Sequence, residues 1–160
     1  MEQVKADVAE DGVSVPPADQ GDVPALRQVV EDARGDGIDL KIVVIDLNTP
    51  TDTPLRDIAT EVGEANPGAT VLTLNPSFAG TYSPVFDRVT LEAGQDVART
   101  GDPVQSSKNF LGELTTPHFP WTPFTIVLVC VVALAVVGTR LLQARGKRSG
   151  VSDAASTSSD

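Results

Sequence analysis

The residues best suited to chemistry stand at the ends of two apolar runs. Asp46 and Asn48 follow the run 42–45 (Ile-Val-Val-Ile), and Asn75 follows the run 71–74 (Val-Leu-Thr-Leu). Ser77, Thr81 and Tyr82 come shortly after. Buried strands read as such runs, and in a parallel α/β sheet ligands bind beyond the carboxyl ends of the strands. Asp46, Asn48, Asn75 and Tyr82 are therefore the candidate ligand-binding set, with Asp46 able to act as a base or to hold a metal. A plainer role competes. Asp46 and Asn48 precede Pro50, and Asn75 precedes Pro76, positions where such side chains cap turns.

No catalytic residue and no metal ligand is assigned. The sequence has no phosphate-cradling glycine loop and no Ser/His/Asp set within the soluble part, and a lone histidine, His118, cannot complete a zinc site. The only cysteine, Cys130, lies inside an apolar stretch and reads as a small hydrophobe. The carboxylates of Glu31, Asp32, Asp36 and Asp39 lack the spacing of a calcium loop and read as a solvated face. No cofactor is expected; a divalent metal at Asp46 is the alternative.

Charge narrows the partners. Residues 1–120 carry 20 acidic and 8 basic side chains, a net of −12, whereas 121–160 carry 2 and 4, a net of +2. An acidic domain repels phosphate backbones, so nucleic acid is excluded as a partner. The N-terminus, Met-Glu-Gln-Val-Lys-Ala-Asp, lacks the basic start and apolar stretch of a signal peptide.

The elements that must position the candidate set follow from punctuation. Asp22, Thr53, Ser83 and Asp102 each stand one or two residues before a proline, which predicts four helix starts. Apolar residues then recur three and four apart: Leu26, Val29, Val30 and Ala33 after Pro24, and Leu55, Ile58, Ala59 and Val62 after Pro54. The pattern repeats through Val89, Ala93 and Val97 after Pro84, and through Phe110, Leu111 and Leu114 after Pro103. A short helix is expected over 2–10. The strands are 38–47 and 69–74, with 13–15 and 80–82 as candidate edge strands. Alternation of helix and strand predicts an α/β layer with a small, mostly parallel sheet.

The C-terminal part reads as a membrane anchor. Residues 126–137 are uninterruptedly apolar, and 124–142 would give a transmembrane helix of 19 residues, roughly 28 Å at 1.5 Å per residue. Trp121 and Arg140 sit where membrane anchors belong, and Thr122-Pro123 suits a helix start. Residues 1–114 are then the soluble domain, 115–123 a proline-rich joint, and 143–160 a basic, serine-rich, disordered tail. Arg140, Arg145, Lys147 and Arg148 follow the apolar stretch, against Lys108 before it. The positive-inside rule then places the C-terminus in the cytoplasm and the domain outside; a cytoplasmic tail-anchored adaptor is the alternative.

Glu10-Asp11-Gly12-Val13, Leu26 and Ala33-Arg34-Gly35-Asp36-Gly37-Ile38, followed by the strands at 42–45 and 70–74, resemble the TPM domain of thylakoid-lumen and bacterial membrane proteins. With Leu91-Glu92-Ala93-Gly94-Gln95-Asp96 and Leu114-Thr115-Thr116-Pro117, the whole chain is similar to small actinobacterial single-pass membrane proteins. Those are often encoded beside NlpC/P60 cell-wall peptidases. The resemblance implies a TPM-like layered α/β domain. It also implies a function without catalysis: binding or regulating a cell-envelope component, such as a cell-wall hydrolase. Because some TPM domains are described as phosphatases, a membrane-anchored, metal-dependent phosphatase-like enzyme is the competing expectation.

Overall fold

The computed structural model describes residues 1–116 and 121–156, and within the second stretch the side chains of 124–140 and 143. Met1–Thr116 and Pro117–Asp160 are separate compact units.

The first unit runs α1 (Glu2–Glu10), β1 (Val13–Ser14), a 3-10 turn (Pro17–Asp22), α2 (Val23–Gly35), β2 (Leu40–Val44), α3 (Thr53–Ala65), β3 (Thr70–Leu74), β4 (Ala79–Tyr82), α4 (Arg88–Val97) and α5 (Pro103–Thr115). The strands lie in the order β1-β2-β3-β4. Apolar residues on the two sheet faces build two cores. On one face, α2, α4 and α5 bring Leu26, Val29, Leu91 and Phe110 against Ile42, Leu72 and Leu74. On the other, α1 and α3 bring Val8, Ala59 and Val62 against Val43 and Val71. Burial on both faces explains why these strands read as continuous apolar runs rather than alternating ones.

The sheet is mixed, which corrects the expectation of a mostly parallel one. β1 pairs with β2, and β2 with β3, in parallel, whereas β3 and β4 are antiparallel. The physical reason is connection length: β3 and β4 are joined by residues 75–78 alone, too few for a parallel crossover of about a dozen residues. Asn75 N–H donates to Phe78 O at 3.0 Å and closes that turn.

Helix starts depart from the expected caps. Asp102 does cap α5, its carboxylate accepting from Gln105 N–H at 2.8 Å. The helix expected from Pro84 begins instead at Arg88, with Asp87 accepting from Thr90 N–H at 2.8 Å. Ser83 is used one turn earlier, its hydroxyl accepting from Val85 and Phe86 N–H. That arrangement is a local turn that competes with helix.

Close approach of α3 to β4 depends on two glycines. A Cβ on Gly80 would stand 2.5 Å from the Leu55 carbonyl carbon, and one on Gly63 would overlap the Tyr82 ring.

In the second unit, α6 spans Trp121–Ser156. Its large apolar side chains from Phe124 to Val137 are exposed. Among the described residues no helix is long and apolar enough to cross a membrane, which overturns the transmembrane helix expected over 124–142. The uninterrupted apolar stretch 126–137 is twelve residues. It is about 18 Å long, against a hydrocarbon core of about 30 Å. Gly138, Thr139 and Arg140 follow, with the Thr139 hydroxyl donating back to Ala135 O at 2.6 Å.

Candidate functional site

β2 and β3 end side by side, Val44 paired with Leu74. The residues that follow, Ile45-Asp46 and Asn75-Pro76, open onto a crevice of about 130 Å³. Asp19 of the 3-10 turn and Asp102 and Ser106 at the start of α5 complete its wall, with Val44 and Leu74 as an apolar floor. The crevice therefore lies where α/β ligand sites lie, beyond the carboxyl ends of the strands.

Asp46 and Asn75 both line this crevice. Asn48 is exposed and does not line it. Tyr82 is elsewhere. Antiparallel pairing sets it opposite Val71, at the far end of β3. That is four residues from Asn75, about 13 Å at 3.3 Å per residue. Arg140 is exposed on α6; the side chain of Trp121 and all of His118 lie outside the described residues.

Asn75 is bound up in the fold. Its Oδ1 accepts from Ser77 N–H at 2.9 Å and Phe78 N–H at 2.6 Å, so it holds the β3–β4 turn. Its Nδ2 donates to Leu47 O at 3.0 Å and to Thr49 Oγ1 at 3.1 Å, so it also staples the loop after β2. Thr49 passes the chain on to Thr51 O at 2.7 Å. The polarity that marked Asn75 for binding is spent on four internal bonds.

The crevice is acidic. Partial burial, with the nearby charges of Asp46 and then Asp22, raises the Asp19 carboxyl above its ordinary range. Asp102 is committed to capping α5, and Ser106 exchanges a 2.7 Å hydrogen bond with Thr100. Among the described residues no three acidic, histidine or cysteine side chains converge closely enough to hold a metal ion. The arrangement can receive a small donor-bearing or cationic group at Asp46 and Asp19, and it repels anions. Sequence reasoning missed Asp19 and took Asp102 only as a cap. Neither carries a local signal, because both reach the crevice through loops whose course is tertiary.

A family model described as "Membrane protein Rv1476" matches residues 1–157. The membrane protein Rv1476 of Mycobacterium tuberculosis (strain ATCC 25618 / H37Rv) is 56% identical over 161 residues, covering all of this chain and 85% of that protein. The solution structure of the N-terminal domain of the cg2496 protein from Corynebacterium glutamicum is similar with a TM-score of 0.53 at 15% identity, over 65% of this chain and 77% of that one. At that identity the likeness concerns the fold alone.

Proposed function

The chain belongs to the membrane protein Rv1476 family, and from that membership we propose that it works at the membrane as a non-catalytic binding protein. In this reading the 1–116 unit binds or regulates a cell-envelope component. The observation that carries the membrane part is the exposed row Phe124, Ile126, Val127, Leu128 and Leu134, each at least 49% exposed on α6. Side chains of that kind seek lipid or an apolar partner. Arg140 and the basic residues after it favour the anionic cytoplasmic leaflet. The net charge of 1–116 holds that unit off such a surface.

The resemblance to envelope proteins with TPM-like domains, encoded beside NlpC/P60 peptidases, supports a cell-wall hydrolase as the partner. Cross-linking the full-length chain in membranes and recovering it should yield the same envelope protein repeatedly. Recovery of none across replicates would sink the proposal.

The second reading, a metal-dependent phosphatase-like enzyme using Asp46, has only the placement of Asp46 in the crevice beyond β2 and β3 behind it. Titrating magnesium or calcium into the full chain and into Asp46→Ala separates the two. Metal binding and phosphatase activity that both vanish in the variant would establish the enzyme.

A further inference from the structure

β4 is the last strand of the sheet and has β3 on one side only. Hydrogen-bonded and non-bonded pairs alternate along an antiparallel ladder. Because Asn75 and Phe78 are a bonded pair, Gly80 and Tyr82 also bond to β3, and Thr81, opposite Leu72, does not. The N–H and C=O of Thr81 therefore face the open edge. Native proteins seldom leave such an edge unmanaged. Here α3 lies on one sheet face and α4 on the other, so the edge forms the floor of a groove between them.

The groove consists of two adjoining hollows, about 250 and 220 Å³, that share Arg56, Glu92 and Gln95. One is bounded by Thr81, Tyr82 and Arg88, the other by Asp96 and Arg99. Three of the eight basic side chains of 1–116 thus gather on one groove of a strongly acidic unit. Each is held by a carboxylate three or four residues away: Arg56 by Asp52 at 3.1 Å, Arg88 by Glu92 at 2.7 Å, and Arg99 by Asp96 at 3.6 Å. Half-exposed pairs of this kind hold weakly, so the guanidinium groups can exchange one carboxylate for another. The buried Gln95 links these parts, its Nε2 donating to Asp52 at 3.0 Å and its Oε1 accepting from the Thr81 hydroxyl at 3.4 Å, which leaves the Thr81 main chain to the edge.

From these features we infer that the groove receives the carboxy-terminal residues of a partner peptide, added as a strand to the free edge of β4 with its terminal carboxylate on Arg56. Edge addition takes main-chain hydrogen bonds from the strand, and a guanidinium matches a carboxylate with charge-assisted hydrogen bonds. Arg56 is the choice because it lines both hollows. A carboxylate fits better than a phosphate. A monoanion replaces one carboxylate at the guanidinium, whereas a dianion would face Asp52, Glu92 and Asp96 with excess charge. The Tyr82 ring and Leu91 offer an apolar wall to the peptide's side chains. The inference rests on this groove alone and not on the crevice or on the nature of the envelope partner.

The test uses the full chain in lipid nanodiscs and an N-acetylated pentapeptide rich in valine and threonine, made with a free carboxy terminus and as the amide. The free acid should shift the amide resonances of residues 81–83 and bind roughly tenfold more tightly than the amide, as a charge-assisted hydrogen bond implies. Arg56→Gln should erase that difference, whereas Arg34→Gln, on the exposed face of α2, should preserve it. Thr81→Pro removes an outward N–H without breaking a bond to β3 and should abolish binding of both peptides. If that variant unfolds, the Arg56→Gln comparison still decides. Equal binding of acid and amide, no shift at 81–83, or displacement of the peptide by equimolar inorganic phosphate would each overturn the inference. Loss of envelope partners in cross-linking would leave it standing.

Discussion

Asn75→Ala separates a structural asparagine from a ligand-binding one. The side chain is 8% exposed and makes four hydrogen bonds, two through Oδ1 and two through Nδ2. Truncation leaves Ser77 N–H and Leu47 O free to find water, because both residues are exposed, whereas Phe78 N–H and Thr49 Oγ1 belong to a half-buried and a buried residue. Thr49 keeps its own bond to Thr51 O. Counting about two groups left poorly satisfied, at roughly 1–3 kcal/mol each with partial rehydration, the cost is about 2–4 kcal/mol. For a unit of this size that lowers the melting temperature by roughly 8–16 °C. Thermal unfolding of the full chain, followed by circular dichroism in detergent, measures it. Asn75→Asp keeps both acceptor bonds and loses both donor bonds, so it should destabilise through the 47–49 loop while leaving the β3–β4 turn formed. That is visible as faster amide exchange at 47–49 than at 77–78. A melting shift under about 2 °C for the alanine variant would refute the reasoning and return Asn75 to the ligand-binding set.

Gly80→Ala should cost about 1–3 kcal/mol or more, because its Cβ meets the backbone of Leu55 and Arg56 rather than a flexible side chain; chemical denaturation checks it, and an unchanged midpoint would contradict the packing. Asp19 has a raised carboxyl, so the stability tied to its bound proton is complete below the ordinary carboxylate pKa and lost as pH rises through the raised one. Asp19→Asn should therefore stabilise at neutral pH and make little difference below about pH 3, as melting curves across that range would show. The Lys5 ammonium is raised, chiefly by its hydrogen bond to Glu61 at 2.8 Å. This tie of α1 to α3 holds at neutral pH and is lost only above the ordinary lysine pKa. Lys5→Met should raise amide exchange in α1 at pH 7, and unchanged exchange there would contradict the tie.

The faces of α2 and α3 were legible in the residues, but that of α4 was not, since Val89 and Val97, expected inside, are exposed and Leu91 is buried instead. Leu26, Val29 and Val30, or Leu55, Ala59 and Val62, recur at helical spacing because one face must leave water, and those residues are buried. The two central strands, expected over 38–47 and 69–74 and found at Leu40–Val44 and Thr70–Leu74, were legible because burial on both faces demands unbroken apolar runs. Caps were less so. Ser83 and Asp87 both precede helix-like sequence, and only the path of the chain after β4 decides which one starts α4.

Chain direction in the sheet was not readable from strand composition, because Ala79–Tyr82 would pair either way; the short link through Asn75 made it antiparallel. The candidate set divided for a related reason. Asp46 and Asn75 meet because parallel strands end together, while the hairpin carries Tyr82 back along β3 to the opposite end. What Asn75 does also depended on long-range geometry. Its amide could have faced a ligand, but residues 47–49, far away in sequence, supply its acceptors. The sequence by itself determined which segments must be buried and where polarity collects, since those follow from hydrophobic spacing and charge. Only the tertiary structure decided which polar groups spend their hydrogen bonds inside the fold, because that depends on partners dozens of residues apart.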